Sequence, residues 1–476
     1  MTSDPRTSRA LWWVLLGAIV AAGGLLRWRA AHGDLWFDEV WSMLLTTRAH
    51  SLAGVFTEIH HANNHYLNTA YLMLVGSGLA PEVYRLPAVL AGTAAIGLMT
   101  MVSATWEAGA GRGPLTSAWL AASSFFLVQY SSEARGYGLA LCCALLCYLA
   151  TASWVSQPRW ISAVAMAVAA ILGMASHLTM VFIVTGCLAW IAVAAWNRRT
   201  RGESLTDWSL AAIIFPPGAF AAWLWMNDLR VIDSGGGSPW RGMAVLRETV
   251  RSTLNLPAGP LELLGVLALI GAAWETVGLY RAREARWAFF ATVIFAIPSF
   301  VSLVASPEYL VSRYFLVSAP FLLVLAGEWL ARVSALGKVG LLAWALTLVA
   351  FPVGGAALWG PLLRDGRGHY TSAVAYVAAA TVEPVVRIAS DHDLRNGLLL
   401  AYFGHGLAPG RRLEYVQQDE WSTRSFEWFI VHRTADEDPP SPVLALPSGR
   451  FLMATRFDYA GLSGWNWFVY RKERSP

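Results

Sequence analysis

Long apolar runs separated by short polar interruptions dominate the first three quarters of the chain. Such runs lie near 11–29, 86–106, 115–132, 137–156, 160–176, 178–196, 209–227, 260–280, 287–305, 312–332 and 339–360. A bilayer core of roughly 30 Å needs about 20 apolar helical residues at about 1.5 Å each, and these runs match that length. Eleven membrane helices are therefore expected. A further run, 66–80, is short and ends in Gly and Pro, which predicts an interfacial or re-entrant helix. From about 361 the apolar runs shrink to strand length. Residues 371–382 and 394–403 read as helices, and 385–390, 412–417, 426–433, 451–457 and 465–472 as strands. The expected architecture is an α-helical polytopic membrane protein, residues 1–360 with an outer loop at 30–85, followed by a small soluble α/β domain at 361–476.

Composition agrees with the pattern. Hydrophobic residues make up 56% of the 476 and charged residues only 14%, against about a quarter charged in soluble domains. A disordered chain, a small disulfide scaffold and an all-soluble enzyme are excluded. Cys142, Cys143, Cys147 and Cys187 all fall in apolar runs, so packing is preferred to redox or metal roles. The N-terminal segment has no small-residue cleavage site after its apolar run, which reads as an uncleaved first span.

A net charge of +4 gives no reason to expect nucleic acid, whereas its distribution sets an orientation. Arg112, Arg159, the Arg198–Arg201 group, the Arg281–Arg286 group and Arg332 with Lys338 occupy alternating short loops, as cytoplasmic loops should. The N-terminus is expected inside and the C-terminal domain outside a cell inner (plasma) membrane. The triple glycine at 235–237 marks a flexible point in an outer loop.

The first outer loop carries most of the candidate chemistry. GDLWFDEVWS (33–42) sets Asp38 and Glu39 among aromatic residues near the expected membrane surface. Adjacent carboxylates there repel each other unless a cation or proton intervenes. A solvated acidic pair in an aromatic belt is the bland alternative. The wider pattern argues against it: HHANNHYLN (60–68), YRLPAVLAG (84–92), SSEARGYGLAL (131–141) and SRYFLVSAPFLLVLAG (312–327) follow in order, each on the expected outer side.

This series resembles the GT-C superfamily of integral membrane glycosyltransferases. The nearest branch holds protein O-mannosyltransferases and lipid A aminoarabinose transferases, which use polyprenyl-phosphate-linked sugars. The resemblance covers most of the chain, although Asn64-His65-Tyr66-Leu67 stands where relatives commonly read His-Pro-Pro-Leu or Lys-Pro-Pro-Leu. It implies transfer of a sugar to an acceptor hydroxyl on a glycan, lipid or protein, with inversion expected. Asp38 would act as general base, as its counterpart does in relatives, and Glu39 would orient the loop or help hold a cation.

The leaving phosphate requires positive charge or hydrogen-bond donors. Arg135, Arg313 and Arg85 stand at outer ends of spans, with Tyr314, Asn64 and His65 as further substrate-binding candidates. Snorkelling to headgroups is the alternative for each arginine. A divalent cation, Mg²⁺ or Mn²⁺, could be shared by Asp38, Glu133 and His61, although no HExxH or CxxC spacing indicates a dedicated site. Glu328 lies one turn before Arg332, so an i,i+4 ion pair accounts for it. A transporter or flippase of lipid-linked sugars is the rival class, but neither internal repeats nor mid-span acids support it. In the C-terminal domain, Trp421, Trp428, Trp465 and Trp467 offer core or stacking surfaces, and no catalytic motif is visible there.

Overall fold

The computed structural model describes residues 5–106, 112–202, 208–232, 242–305, 310–434 and 437–473, so the triple glycine at 235–237 lies outside the described residues. Each of the eleven apolar runs is helical. Nine helices among the described residues are long and apolar enough to cross a membrane, and the chain is a multi-pass membrane protein of the expected class. The two remaining runs differ for separate reasons. Trp160–Ser176 is helical throughout but has only 17 residues. The run at 115–132 is broken at Ser124 into Arg112–Ser123 and Phe125–Tyr130.

The break is stabilised by a distant residue. Asn255 Oδ1 accepts from the Phe125 amide (2.7 Å), while Asn255 Nδ2 donates to the carbonyls of Ser123 (2.9 Å) and Phe351 (3.0 Å). Backbone groups freed by the interruption thus find a buried amide in place of water, as apolar surroundings demand. The run at 66–80 gives a helix of 10 residues, Tyr66–Val75, closed by Gly76 at φ 75°.

Among the described spans, helix Ser312–Ser334 is the most deeply buried, whereas Arg9–Ala30 is largely exposed and leaves its apolar side chains for lipid. Close approach relies on small residues. At Gly138 any Cβ would fall 2.5 Å from the Ala88 carbonyl oxygen, so the YRLPAVLAG and SSEARGYGLAL segments pack directly on each other.

Chain contacts divide the molecule into two compact units. The membrane unit comprises residues 1–31, 46–78 and 82–358; the C-terminal unit comprises 32–45, 79–81 and 359–476. One feature differs from the expected division: residues 32–45, which carry Asp38 and Glu39, group with the C-terminal unit. The reason lies in specific bonds. The Asp34 carboxylate accepts from the amide and hydroxyl of Thr371, both at 2.7 Å, and the rings of Trp36 and Phe37 lie 6.3 and 5.9 Å from Trp465.

The C-terminal unit holds one six-stranded sheet: β1 (Val385–Ser390), β2 (Arg412–Tyr415), β3 (Trp428–Arg433), β4 (Val443–Leu446), β5 (Gly449–Phe457) and β6 (Asn466–Lys472), in the order β2-β1-β3-β6-β5-β4. The first three are parallel and the rest antiparallel. Helices Tyr370–Ala380 and Asp393–Gly404 lie within a residue or two of their expected positions. Phe429, Val431, Phe451, Phe468 and Tyr470 form much of an apolar core on the sheet.

Candidate functional site

In the C-terminal unit, Asp38 opens helix Phe37–Leu45. Glu39 is fully buried, and its Oε2 accepts from the Trp36 amide at 3.1 Å, so it closes the helix start like one half of a capping box. Asp38 is half-buried. Its carboxylate stands in the first turn, where the helix dipole favours negative charge, and the neighbouring rings of Phe37 and Trp41 lie 5.2 Å apart. Two adjacent acids therefore have unlike surroundings: one maintains the helix, the other faces partly outward.

In the membrane unit, the segment 131–137 is almost wholly buried; Glu133 is 0% and Arg135 3% exposed. A guanidinium at that depth requires partners. Arg135 donates to Asn63 Oδ1 and to the Tyr137 hydroxyl (3.3 Å), and its charge lies 5.5 Å from the Tyr137 ring centre. Glu133 Oε1 accepts from Gln129 Nε2 at 3.0 Å. Asn68 Nδ2 ties the segment down through the Ala134 carbonyl at 2.7 Å. At Gly136 the backbone passes so close to the Ser176 carbonyl that a Cβ would collide with it, and His65 Nδ1 would be 3.0 Å from that Cβ.

Two histidines complete this cluster. His65 Nδ1 donates to the Ser176 carbonyl at 3.0 Å, and its ring lies 5.0 Å from His177 and 5.1 Å from Tyr137. Burial, then the positive charge of Arg135, hold His65 well below its ordinary value, with Arg313 adding to the effect. Burial, then Arg135 and Arg313, bring His177 down to about 3. Both rings are therefore neutral near pH 7. Arg313 sits in the 3₁₀ turn Ser312–Ser318, half-buried, and the ring of Tyr314 is 6.4 Å from His177. The structure thus gathers Arg135, Arg313, His65 and Tyr314, with His177, Asn63 and Tyr137 added. Two fixed cations beside two neutral imidazoles constitute an environment for an anion.

Other expected residues point elsewhere. Asn64 uses its amide on the carbonyls of Val55 (2.8 Å) and Ile59 (3.1 Å), which pins the loop. Arg85 is fully buried and donates to the Ala31 carbonyl at the end of the first membrane helix (2.9 Å). His61 Nδ1 accepts from the Asn63 amide at 2.9 Å. Among the described residues no three His, Cys, Asp or Glu side chains gather closely enough to hold a metal ion by themselves. Glu328 requires correction: its partner is the Ser103 hydroxyl, while Arg332 pairs with Glu275 on another helix at 3.1 Å. Helix packing supplied both with nearer partners than the i,i+4 spacing.

Asp228 was not signalled by the sequence. Its carboxylate is fully buried, accepts from the Tyr66 hydroxyl and bonds His60 Nδ1 at 2.9 Å, anchoring both ends of the 60–66 segment. Asn63 and Tyr137 lay inside quoted motifs, so proximity to the candidate histidine and arginine was their available signal.

No family model matches this chain, and no curated protein matches it. Solved structures do. The chain is similar to ArnT from Cupriavidus metallidurans in the apo state, with a TM-score of 0.56 at 14% identity over 97% of this chain and 98% of that one. It is also similar to the same ArnT bound to undecaprenyl phosphate, with a TM-score of 0.53 at 14% identity over 96% and 97%. An oligosaccharyltransferase from Archaeoglobus fulgidus aligns less well, at 0.48 and 9% identity over 87% and 68%. The fold is similar to that of ArnT over nearly the whole of both chains.

Proposed function

We propose that this protein is a GT-C-type membrane glycosyltransferase that moves a sugar from a polyprenyl-phosphate-linked donor to an acceptor hydroxyl at the outer face of the plasma membrane. In this reading the N-terminus is cytoplasmic and the C-terminal unit extracytoplasmic. The observation that carries it is the buried cluster in which Arg135, held by Asn63 and Tyr137, shares the Tyr137 ring with His65 and His177. Such a cluster suits a phosphate, and a similar fold has been seen with undecaprenyl phosphate bound.

The chemistry balances with the residues available. Asp38 takes the proton of the acceptor hydroxyl, and the oxygen pair forms the new bond to the sugar's anomeric carbon. The bond from that carbon to the phosphate oxygen breaks, its electrons leaving with polyprenyl phosphate, and the configuration inverts. Arg135 and Arg313 compensate the charge that develops on the departing phosphate. Glu39 keeps the helix that carries Asp38 in place. No step is assigned to a metal ion.

The test uses purified full-length protein in lipid nanodiscs with a panel of polyprenyl-phosphate-linked sugars, reading lipids by mass spectrometry. Loss of the sugar with release of polyprenyl phosphate supports the reading. Movement of an uncleaved donor between leaflets of reconstituted vesicles, with no sugar released, would contradict it and favour the transporter class.

A further inference from the structure

The tryptophans of the C-terminal unit divide by role. Trp428 and Trp467 are fully buried, and their indole N–H groups donate to Thr381 Oγ1 (2.8 Å) and Asn396 Oδ1 (3.1 Å), so they belong to the core. Trp465 is half-exposed, and its ring abuts Trp36 and Phe37, the two residues immediately before Asp38. Over its face, 4.1 Å from the ring centre, lies the guanidinium of Arg395. Stacking of this kind fixes a planar cation at little entropic cost.

Arg395 is held from behind by a polar relay. His432 Nδ1 bonds Asp391 Oδ1 at 2.7 Å; because a carboxylate accepts, that nitrogen carries the proton. His432 Nε2 then presents a lone pair, and Arg395 Nη1 donates to it. Asp391 is fixed in turn by Asn396 Nδ2 (3.2 Å) and Arg433 Nη1 (3.0 Å). Helix Asp393–Gly404, which carries Arg395, packs against helix Phe37–Leu45, which carries Asp38. Burial pulls the guanidinium below its ordinary value, and the charges of Asp391 and then Asp38 oppose that pull, so Asp38 and Arg395 lie within electrostatic reach.

We propose that Arg395 is a positioning residue for Asp38: a cation clamped between the Trp465 face and the Asp391–His432 relay that orients the Asp38 carboxylate toward the acceptor hydroxyl. The C-terminal unit on this account contributes to the reaction through a fixed charge beside the base. The inference rests on Asp38 as general base, and it deepens that reading by assigning the base a partner. A small displacement of a catalytic group costs on the order of 10²-fold in rate, which sets the scale expected here.

The experiment is a double-mutant cycle on the full-length protein. Arg395→Gln and Arg395→Lys are made alone, and Arg395→Gln also in an Asp38→Asn background. Single-turnover transfer, binding of undecaprenyl phosphate and thermal unfolding are measured for each. Arg395→Gln should slow single-turnover transfer by about 10- to 100-fold with undecaprenyl phosphate binding unchanged, and Arg395→Lys should recover part of the rate. In the Asp38→Asn background the same change should cost less than about 2-fold, because its route of action is already gone. An equal loss in both backgrounds would overturn the inference, since a merely structural role damages both alike. A wild-type rate in Arg395→Gln, with Asp38→Asn inactive, would overturn it too and leave the transferase reading intact. A wild-type rate in Asp38→Asn would overturn the assignment of the base and this inference together.

Discussion

The two groups of candidate residues have opposite surroundings. In the membrane unit Arg135 is 3% exposed, clamped by Asn63 and Tyr137, and flanked by buried neutral histidines. In the C-terminal unit Asp38 is half-buried on a short helix, among aromatic rings and within the field of Arg395. The first surrounds a buried cation with fixed partners, as the proposed phosphate role requires, and the second leaves a carboxylate partly exposed. An arginine that only anchored a helix to headgroups would have its head in water. Arg135 does not, which argues against snorkelling.

The largest effect is expected where the membrane unit loses its charge. Arg135→Ala combined with Arg313→Ala should lower donor turnover by about 10³-fold or more, since single donors to a developing anion typically contribute about 10²–10³-fold. Lysine at either position should fail to restore full activity, because an ammonium cannot reproduce the planar fork of a guanidinium. Donor binding and turnover kinetics check both statements, and normal donor use in the double variant would return these arginines to a structural role.

A smaller effect is expected from a single methyl group. Gly136→Ala forces a Cβ onto the Ser176 carbonyl, which is backbone and cannot swing aside. Overpacking of this kind costs about 1–3 kcal/mol, and the hydrogen bond from His65 to that same carbonyl should break first. Thermal unfolding and donor binding should fall together. If Gly136→Ala matched the wild type in both, the close approach would not matter to the site.

At neutral pH the least visible effect is a pH dependence, which emerges only on acidification. The folded protein keeps His177 neutral down to about pH 3, whereas the unfolded chain takes up its proton near pH 6.5. The stability this contributes is fully present above about 6.5 and falls as pH drops toward the folded value, by at most ~1.4 kcal/mol per unit. His177→Asn should flatten this acid loss in unfolding measured between pH 7 and 4. An unchanged slope would show that His177 is not held neutral by its surroundings.

Much of the fold could be read from hydrophobic pattern, because membrane spans and buried strands both answer to local rules. β1 was legible to the residue as VVRIAS, an apolar run at the head of the soluble part. β4, VLAL, was missed because four residues between prolines carry too little periodicity. The break at Ser124 was invisible, since its cause, Asn255, lies about 130 residues away in sequence. The same limit hid Asp228, and spacing alone misassigned Arg332, whose partner Glu275 sits on another helix. Within the candidate site, Arg135, Arg313 and His65 were legible because each lay inside a motif that opens a helix. The Asp391–His432–Arg395 relay was not, since its members are spread over two elements without a recognisable spacing.

The most direct test of the division of labour pairs two variants with two readouts. Asp38→Asn and Arg135→Ala are each compared with wild type in undecaprenyl phosphate binding and in single-turnover sugar transfer. The account predicts that Asp38→Asn binds the lipid normally but transfers about 10²–10⁴-fold more slowly, the usual contribution of a positioned base. It predicts that Arg135→Ala loses lipid binding as well as transfer. An Asp38→Asn protein with near-normal transfer, or one that fails chiefly in lipid binding, would contradict the assignment of the base to Asp38.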